Sequence, residues 1–222
     1  MARAAPTAGS SPALAVLVLA LAHACCFARA PQVGFVTDDF LWLADAGRDV
    51  SWWQHALSRE PFGYFRPLFH VLLAGSRSVF GLAAWPLHAL ALAASVASSF
   101  LLWRLLARWT GDARAALAGA VLFSVHPANA IALSWVSSLP SLLATAFVFG
   151  AVLWHRRLAG GGAVLVGGAL PLRALARAAE EGAVVAGLWL VVAERSARRH
   201  GAAAPAGRVL LAPLAHGLVL VG

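Results

Sequence analysis

Long apolar runs alternate with short polar breaks along this chain. Uncharged or nearly uncharged stretches cover 12–28, 83–102, 115–125, 139–154, 160–172, 183–193 and 209–222. The 83–102 run is long enough to cross a bilayer as a helix, which takes about 20 residues. The 115–125 run is short, but it continues through His126-Pro127 into 128–132, and Pro127 predicts a kink or an end there. The pattern predicts an all-α, polytopic transmembrane helix bundle forming a single domain over 1–222. Its expected spans are about 12–29, 83–103, 115–131, 139–155, 160–174, 182–194 and 208–222. The last run stops at Gly222, so a longer gene product is expected.

Two segments break the apolar pattern. Residues 31–66 form the longest polar stretch and hold five of the nine acids: Asp38, Asp39, Asp45, Asp49 and Glu60. Ser51 with Gln54 matches a capping box, predicting a helix from Trp52. Trp42, Trp52 and Trp53 are of the kind that settles at a lipid–water boundary. The outer loop, 30–66, is therefore read as carrying short amphipathic helices along the membrane surface. The second segment, 66–80, has Pro67 at its start and Gly81 after its end, which predicts a short helix. Its two arginines argue against a lipid-exposed span.

The first run admits a rival reading as a signal peptide, with Arg3 as its basic region and Ala28-Arg29-Ala30 as an A-x-A-like site. Arg29 inside that site, and the further runs that follow, favour an uncleaved first span.

Composition supports the membrane class. Hydrophobic residues make up 61% of the chain and charged residues 12%, where a soluble domain carries about a quarter. All 17 basic residues are arginine, which with the abundant alanine and glycine reads as the codon bias of a GC-rich bacterial genome. No basic patch is interleaved with aromatics as base stacking requires, so nucleic acid is excluded as a partner. Cys25 and Cys26 are neighbours in an apolar run, and read as small apolar helix residues.

The arginines also orient the chain. With the N-terminus in the cytoplasm, ten of the 17 fall at cytoplasmic ends, including the clusters at 104–114, 156–157 and 195–199. The expected location is a bacterial inner membrane, crossed several times. The acidic loop, His126-Pro127 and Glu180-Glu181 then share the outer face. A transporter would place polar groups near the midplane. Polar groups gathered at one surface favour chemistry on a lipid-linked substrate.

Several short motifs carry a family likeness. They are Phe35-Val36-Thr37-Asp38-Asp39-Phe40, Gly63-Tyr64-Phe65-Arg66-Pro67-Leu68, Leu87-His88-Ala89-Leu90, His126-Pro127, and Ala132-Leu133-Ser134-Trp135-Val136-Ser137. In order and spacing, from about residue 31 to 199, the chain resembles the N-terminal part of a GT-C membrane glycosyltransferase. Within that class it is most similar to the protein O-mannosyltransferases of the transmembrane-and-TPR type and their bacterial relatives.

The resemblance implies transfer of a sugar from a polyprenyl-phosphate-linked donor to a protein or glycan acceptor outside the cytoplasm. It implies Asp38 as general base and Asp39 as its supporting acid. Arg66, His126, Arg177 and Glu181 are the expected substrate contacts. A divalent cation is possible chemistry for such a donor, and no other cofactor is expected. Two departures stand out. Ser138-Leu139-Pro140-Ser141 replaces a Gly-Arg-x-Asp stretch, and Ala179-Glu180-Glu181 replaces Ser-Lys-Glu. Both remove a basic residue near where a phosphate should lie, and Arg173 and Arg177 are the candidates to compensate.

Each residue also has a plainer reading. Asp38 could cap the following helix. Arg66 could snorkel to lipid headgroups. His126 could serve a helix end, and Glu180-Glu181 a solvated turn. A non-catalytic membrane protein, either a degenerate glycosyltransferase relative or a transporter fragment, is the alternative to the enzyme.

Overall fold

The computed structural model describes residues 11–57, 63–157, 164–180 and 183. Among these residues the structure is helical, with no strands. The helices are α1 (Pro12–Phe27), α2 (Asp39–Asp45), α3 (Trp52–Leu57), α4 (Pro67–Phe80), α5 (Trp85–Thr110), α6 (Ala113–Ser124), α7 (Ala128–Ser134), α8 (Leu139–Arg157) and α9 (Val164–Ala179). Single 3-10 turns occupy Ala30–Gln32 and Val136–Ser138.

Local chemistry explains most of the boundaries. The Ser11 hydroxyl accepts from the Leu14 amide and starts α1 at Pro12. Asp112 accepts from the amides of Arg114 and Ala115 and starts α6. At the entry to α3 the Ser51 amide donates to Gln54 Oε1, one half of the expected capping box; the Ser51 hydroxyl donates to the same oxygen and does not take the Gln54 amide, which bonds the Ser51 carbonyl. Gly111 ends α5 at φ 74°, a left-handed position that favours glycine.

Among the described residues, two helices are long and apolar enough to cross a membrane. They are α5, at 26 residues, and the stretch Val136–Trp154, which joins the second 3-10 turn to α8. The helix α5 spans roughly 39 Å, against about 30 Å of hydrocarbon. The pair α6 and α7 counts as a third only if taken as one broken span, because the axes bend by 58° between them. The bend falls at Val125-His126-Pro127, where Pro127 cannot continue α6 and Asn129 instead bonds the freed carbonyls of Phe123 and Ser124. The expected first span is the apolar helix α1, but at 16 residues it is shorter than a full crossing. The expected span 160–174 corresponds to α9, which runs on to Ala179, carries Pro171, Arg173 and Arg177, and is not among the candidate spans. The expected spans 182–194 and 208–222 lie outside the described residues, apart from residue 183.

Packing follows from the apolar faces. A main core joins Trp42, Phe69, Leu73, Leu87, Leu133, Val136, Leu139, Leu143 and Ala179. A second cluster binds α1 to α5 and α6 through Leu19, Trp103, Ala116 and Ala120. Between them, His23 on α1 joins α5. Its Nε2 lies 2.9 Å from the Ser95 hydroxyl, and its Nδ1 lies 2.8 Å from the Leu19 carbonyl. Buried polar side chains of this kind hold apolar helices in one register.

Candidate active site

The site is built where the start of α2 meets the turn between α7 and α8. Thr37 adopts a left-handed backbone, φ 51°, which costs a non-glycine residue about 1–2 kcal/mol. That turn sets Asp38 and Asp39 side by side. It is closed in both directions: the Asp39 amide donates to the Val36 carbonyl, and the Val36 amide donates to Asp39 Oδ2.

Asp39 is 1% exposed and receives four hydrogen bonds. Beside Val36, they come from the amides of Val136 and Ser137 and from the Ser137 hydroxyl, the last at 2.6 Å. A carboxylate that receives this many donors has little capacity left for a ligand. Its role is to fix the turn.

Asp38 is held differently. It occupies the N-cap position of α2, but its carboxylate makes no capping bond to that helix. Oδ1 instead accepts from the Trp135 indole at 2.7 Å and lies 3.2 Å from the Ser137 hydroxyl. Both bonds reach across almost a hundred residues of sequence. No hydrogen bond to Oδ2 is found among the described residues. Asp38 is half-buried, with one oxygen anchored and the other left over.

The same turn leads to a second polar pair. Arg66 Nη2 donates to Glu180 Oε1 at 2.8 Å, and the Ser141 hydroxyl donates to Glu180 Oε2 at 2.7 Å. The Arg66 guanidinium also stacks over the Tyr64 ring, 4.7 Å from its centroid. Ser137 and Ser141 are four residues apart, roughly 6–7 Å of helical rise. The acid pair and the Arg66–Glu180 pair are thus fastened within about a turn of one another.

The remaining expected contacts are His126, Arg177 and Glu181. His126 is exposed at the bend between α6 and α7, where its Nδ1 accepts from the Ala128 amide in a local cap. No hydrogen bond joins it to the acid pair among the described residues. Arg177 is half-buried on α9, one turn before Glu180. Glu181 lies outside the described residues. Among the described residues no three His, Cys, Asp or Glu side chains converge as metal ligands would.

The residues that organise the site were not singled out from sequence as its partners: Trp135, Ser137, Ser141 and Glu180. Trp135 and Ser137 belong to a motif already noted, but nothing in a single sequence pairs them with acids almost a hundred residues away. Ser141 sits in a segment first noted for a missing arginine, and it holds Glu180.

No protein-family model, curated protein or solved structure matches this chain.

Proposed function

We propose that the chain is the N-terminal, membrane-embedded part of a GT-C-like glycosyltransferase, transferring a sugar from a polyprenyl-phosphate donor to an extracytoplasmic acceptor. The observation that carries this reading is the asymmetry of Asp38. Trp135 and Ser137 hold Oδ1, and Oδ2 remains for a substrate hydroxyl. A general base needs to be fixed in direction and open on one side.

In the proposed step, Asp38 Oδ2 takes the proton from the acceptor hydroxyl. The acceptor oxygen bonds to the anomeric carbon as the bond from that carbon to the phosphate oxygen breaks. The lipid phosphate leaves with the electron pair, and the sugar is transferred with inversion. Asp39 is a positioning residue, because its oxygens are engaged by backbone amides and Ser137. Arg66 is compensated by Glu180, so its contribution to an incoming phosphate is set by that pairing.

The proposed location is a bacterial inner membrane with the N-terminus in the cytoplasm. The arginines at 104, 108 and 114 lie toward the end of the bundle remote from the acids, which supports this orientation. The exposed rings of Trp52, Trp53, Tyr64 and Phe65 suit an interfacial belt beside the site. A reporter fused after Arg157 should be cytoplasmic and one near Gly47 periplasmic; the reverse pattern rejects the orientation.

The deciding experiment is Asp38→Asn in the full gene product, assayed in membranes with a polyprenyl-phosphate sugar. Loss of a general base costs about 10²–10⁴ in rate. Asparagine can still accept from Trp135, so protein levels should hold. Turnover near wild type would reject the base role, and absence of transfer by the wild type itself would favour a non-catalytic membrane protein.

A further inference from the structure

Arg77 is a half-buried cation on α4 that the proposed step does not use. Its Nη1 donates to the Leu43 carbonyl at 2.8 Å, the one hydrogen bond of its guanidinium among the described residues. That carbonyl belongs to the last turn of α2. In a continuing helix it would take the Gly47 amide, but Gly47 donates to Ala44 instead as the helix ends. Arg77 fills the open place, as basic side chains do at helix C-termini.

Gly47 is the other half of this arrangement. A Cβ there would come within 2.6 Å of Arg77 Nη2 and 2.7 Å of its Cζ. The guanidinium therefore lies against bare backbone, in a space that any side chain at 47 would take. Gly47 is not at positive φ, so glycine serves here for room and not for conformation.

Three contacts seat α2 on α4. Trp42 packs edge-on against Phe69, 5.6 Å between ring centroids, and Asp45 faces His70. Arg77 lies seven residues beyond His70, on the same face of α4, and holds the end of α2. A helix of 7 residues is not stable alone, so contacts of this kind set its axis. Asp38 sits at the start of that helix, roughly 7–8 Å of rise from Leu43. Trp135 and Ser137 reach only Oδ1 of Asp38, and bonds to one oxygen leave the other free to swing. The direction of Oδ2 then depends on the backbone that α2 carries.

We propose that Arg77 is a positioning residue for Asp38: by holding the Leu43 carbonyl it sets the axis of α2, and with it the direction of Asp38 Oδ2. Its effect on turnover rests on the glycosyl-transfer reading; its hold on the acid turn does not.

Two variants break the contact from opposite sides. Arg77→Met removes the donor, and Gly47→Ala fills the guanidinium's place. The full gene product would be assayed for turnover in membranes and for hydrogen exchange in detergent, followed by mass spectrometry. Both variants should lower kcat by about 10–100-fold with KM for the donor little changed, since a misplacement of about 1 Å can cost as much. Both should also speed exchange of the Val136 and Ser137 amides, which Asp39 holds. Arg77→Lys can still reach a single carbonyl and should recover most of both. If Arg77→Met fails to accumulate, Gly47→Ala decides on the same terms, because it leaves Arg77 in place. Faster exchange confined to residues 43–48 with kcat unchanged overturns the proposal, because the contact would then serve only the end of α2. So does a fall in kcat with protection lost throughout α5 and α8, which would make Arg77 a residue of the whole fold. Full turnover by Asp38→Asn would sink the base assignment, and faster exchange at Val136 and Ser137 would still put the acid turn under the control of Arg77. An inactive Asp38→Asn, with Gly47→Ala and Arg77→Met like wild type in kcat and exchange, would keep the base and sink this proposal.

Discussion

The two ends of α5 are held in opposite ways. At its C-terminal end most of the polar contacts described are local: Asp112 caps α6, Thr110 bonds the Leu106 and Asp112 carbonyls, and the Trp103 indole reaches the Ala113 carbonyl, while Arg108 alone of these reaches further, to the Leu153 carbonyl on α8. At the other end they join segments far apart in sequence. Asp38 and Asp39 meet Trp135 and Ser137, Arg66 meets Glu180, and His88 reaches the Leu133 carbonyl. Local caps end helices and reverse the chain. Long-range bonds must overcome the entropy of closing large loops, and they fix side chains from separate helices at one place. A site needing fixed geometry belongs at the second kind of end.

This contrast breaks most visibly at Asp39. Replacing it with alanine leaves the amides of Val36, Val136 and Ser137 without their acceptor. The expected loss is about 3–5 kcal/mol, the range for breaking a buried charged network. Thermal unfolding in detergent would show it, and turnover should fall with folding. An Asp39→Ala protein as stable as wild type would mean that the acid pair does not hold the turn.

The Arg66–Glu180 pair should cost less. Its side chains are 13% and 19% exposed, and the contact is a charge-assisted hydrogen bond. A double-mutant cycle with Arg66→Met and Glu180→Gln should give a coupling of about 1.5–3 kcal/mol. Ser141→Ala should weaken that coupling, because it releases the second oxygen of Glu180. A coupling near zero would place the pair among surface contacts and separate it from the acid site.

What sequence made legible was local. The Ser51–Gln54 pair acts within a turn of itself and was read from adjacent residues; the boundaries at Ser11, Asp112 and Gly111 are as local but were not singled out. The apolar runs likewise marked α1, α5 and α8, and Pro127 marked the bend between α6 and α7. The helix over the 160–172 run, described from Val164, carries Arg173 and Arg177 in its last turns and ends at Ala179, with Arg173 buried beside Ala176 and Ala179. At the site, the acid pair was visible as an acid pair, but its division of labour was not. Asp38 and Asp39 are adjacent and chemically identical. What separates them is which oxygens Trp135, Ser137 and the nearby amides reach, and that depends on tertiary placement.

At the local end, Asp112→Ala should cost about 1 kcal/mol, the usual loss of an N-cap. Turnover and lipid binding should be unchanged, since Asp112 has no bond to the acid pair among the described residues. A stability loss as large as that of Asp39→Ala would erase the distinction between the two ends.

The smallest effect is a pH dependence at α2 and α4. His70 is buried on α4, edge-on to Trp42, with Nδ1 3.4 Å from Asp45 Oδ2. Burial is the largest influence on it and pushes its pKa below the ordinary histidine value; Asp45 pulls the other way, and His55 and Arg48 add to the lowering. The neutral ring is thus the folded form near pH 7. As pH falls past about 6.5, the unfolded chain takes up the proton more readily than the folded one. Stability from this residue is complete above that pH and is lost as acidity rises. Wild type should therefore lose more thermal stability between pH 7 and pH 5 than His70→Gln, which has no ring to titrate. If Asp45 outweighs burial, the sign reverses: wild type would hold its stability better than His70→Gln on acidification. That outcome would make the contact with Asp45 an ion pair and attach α2 to α4 by charge as well as by packing.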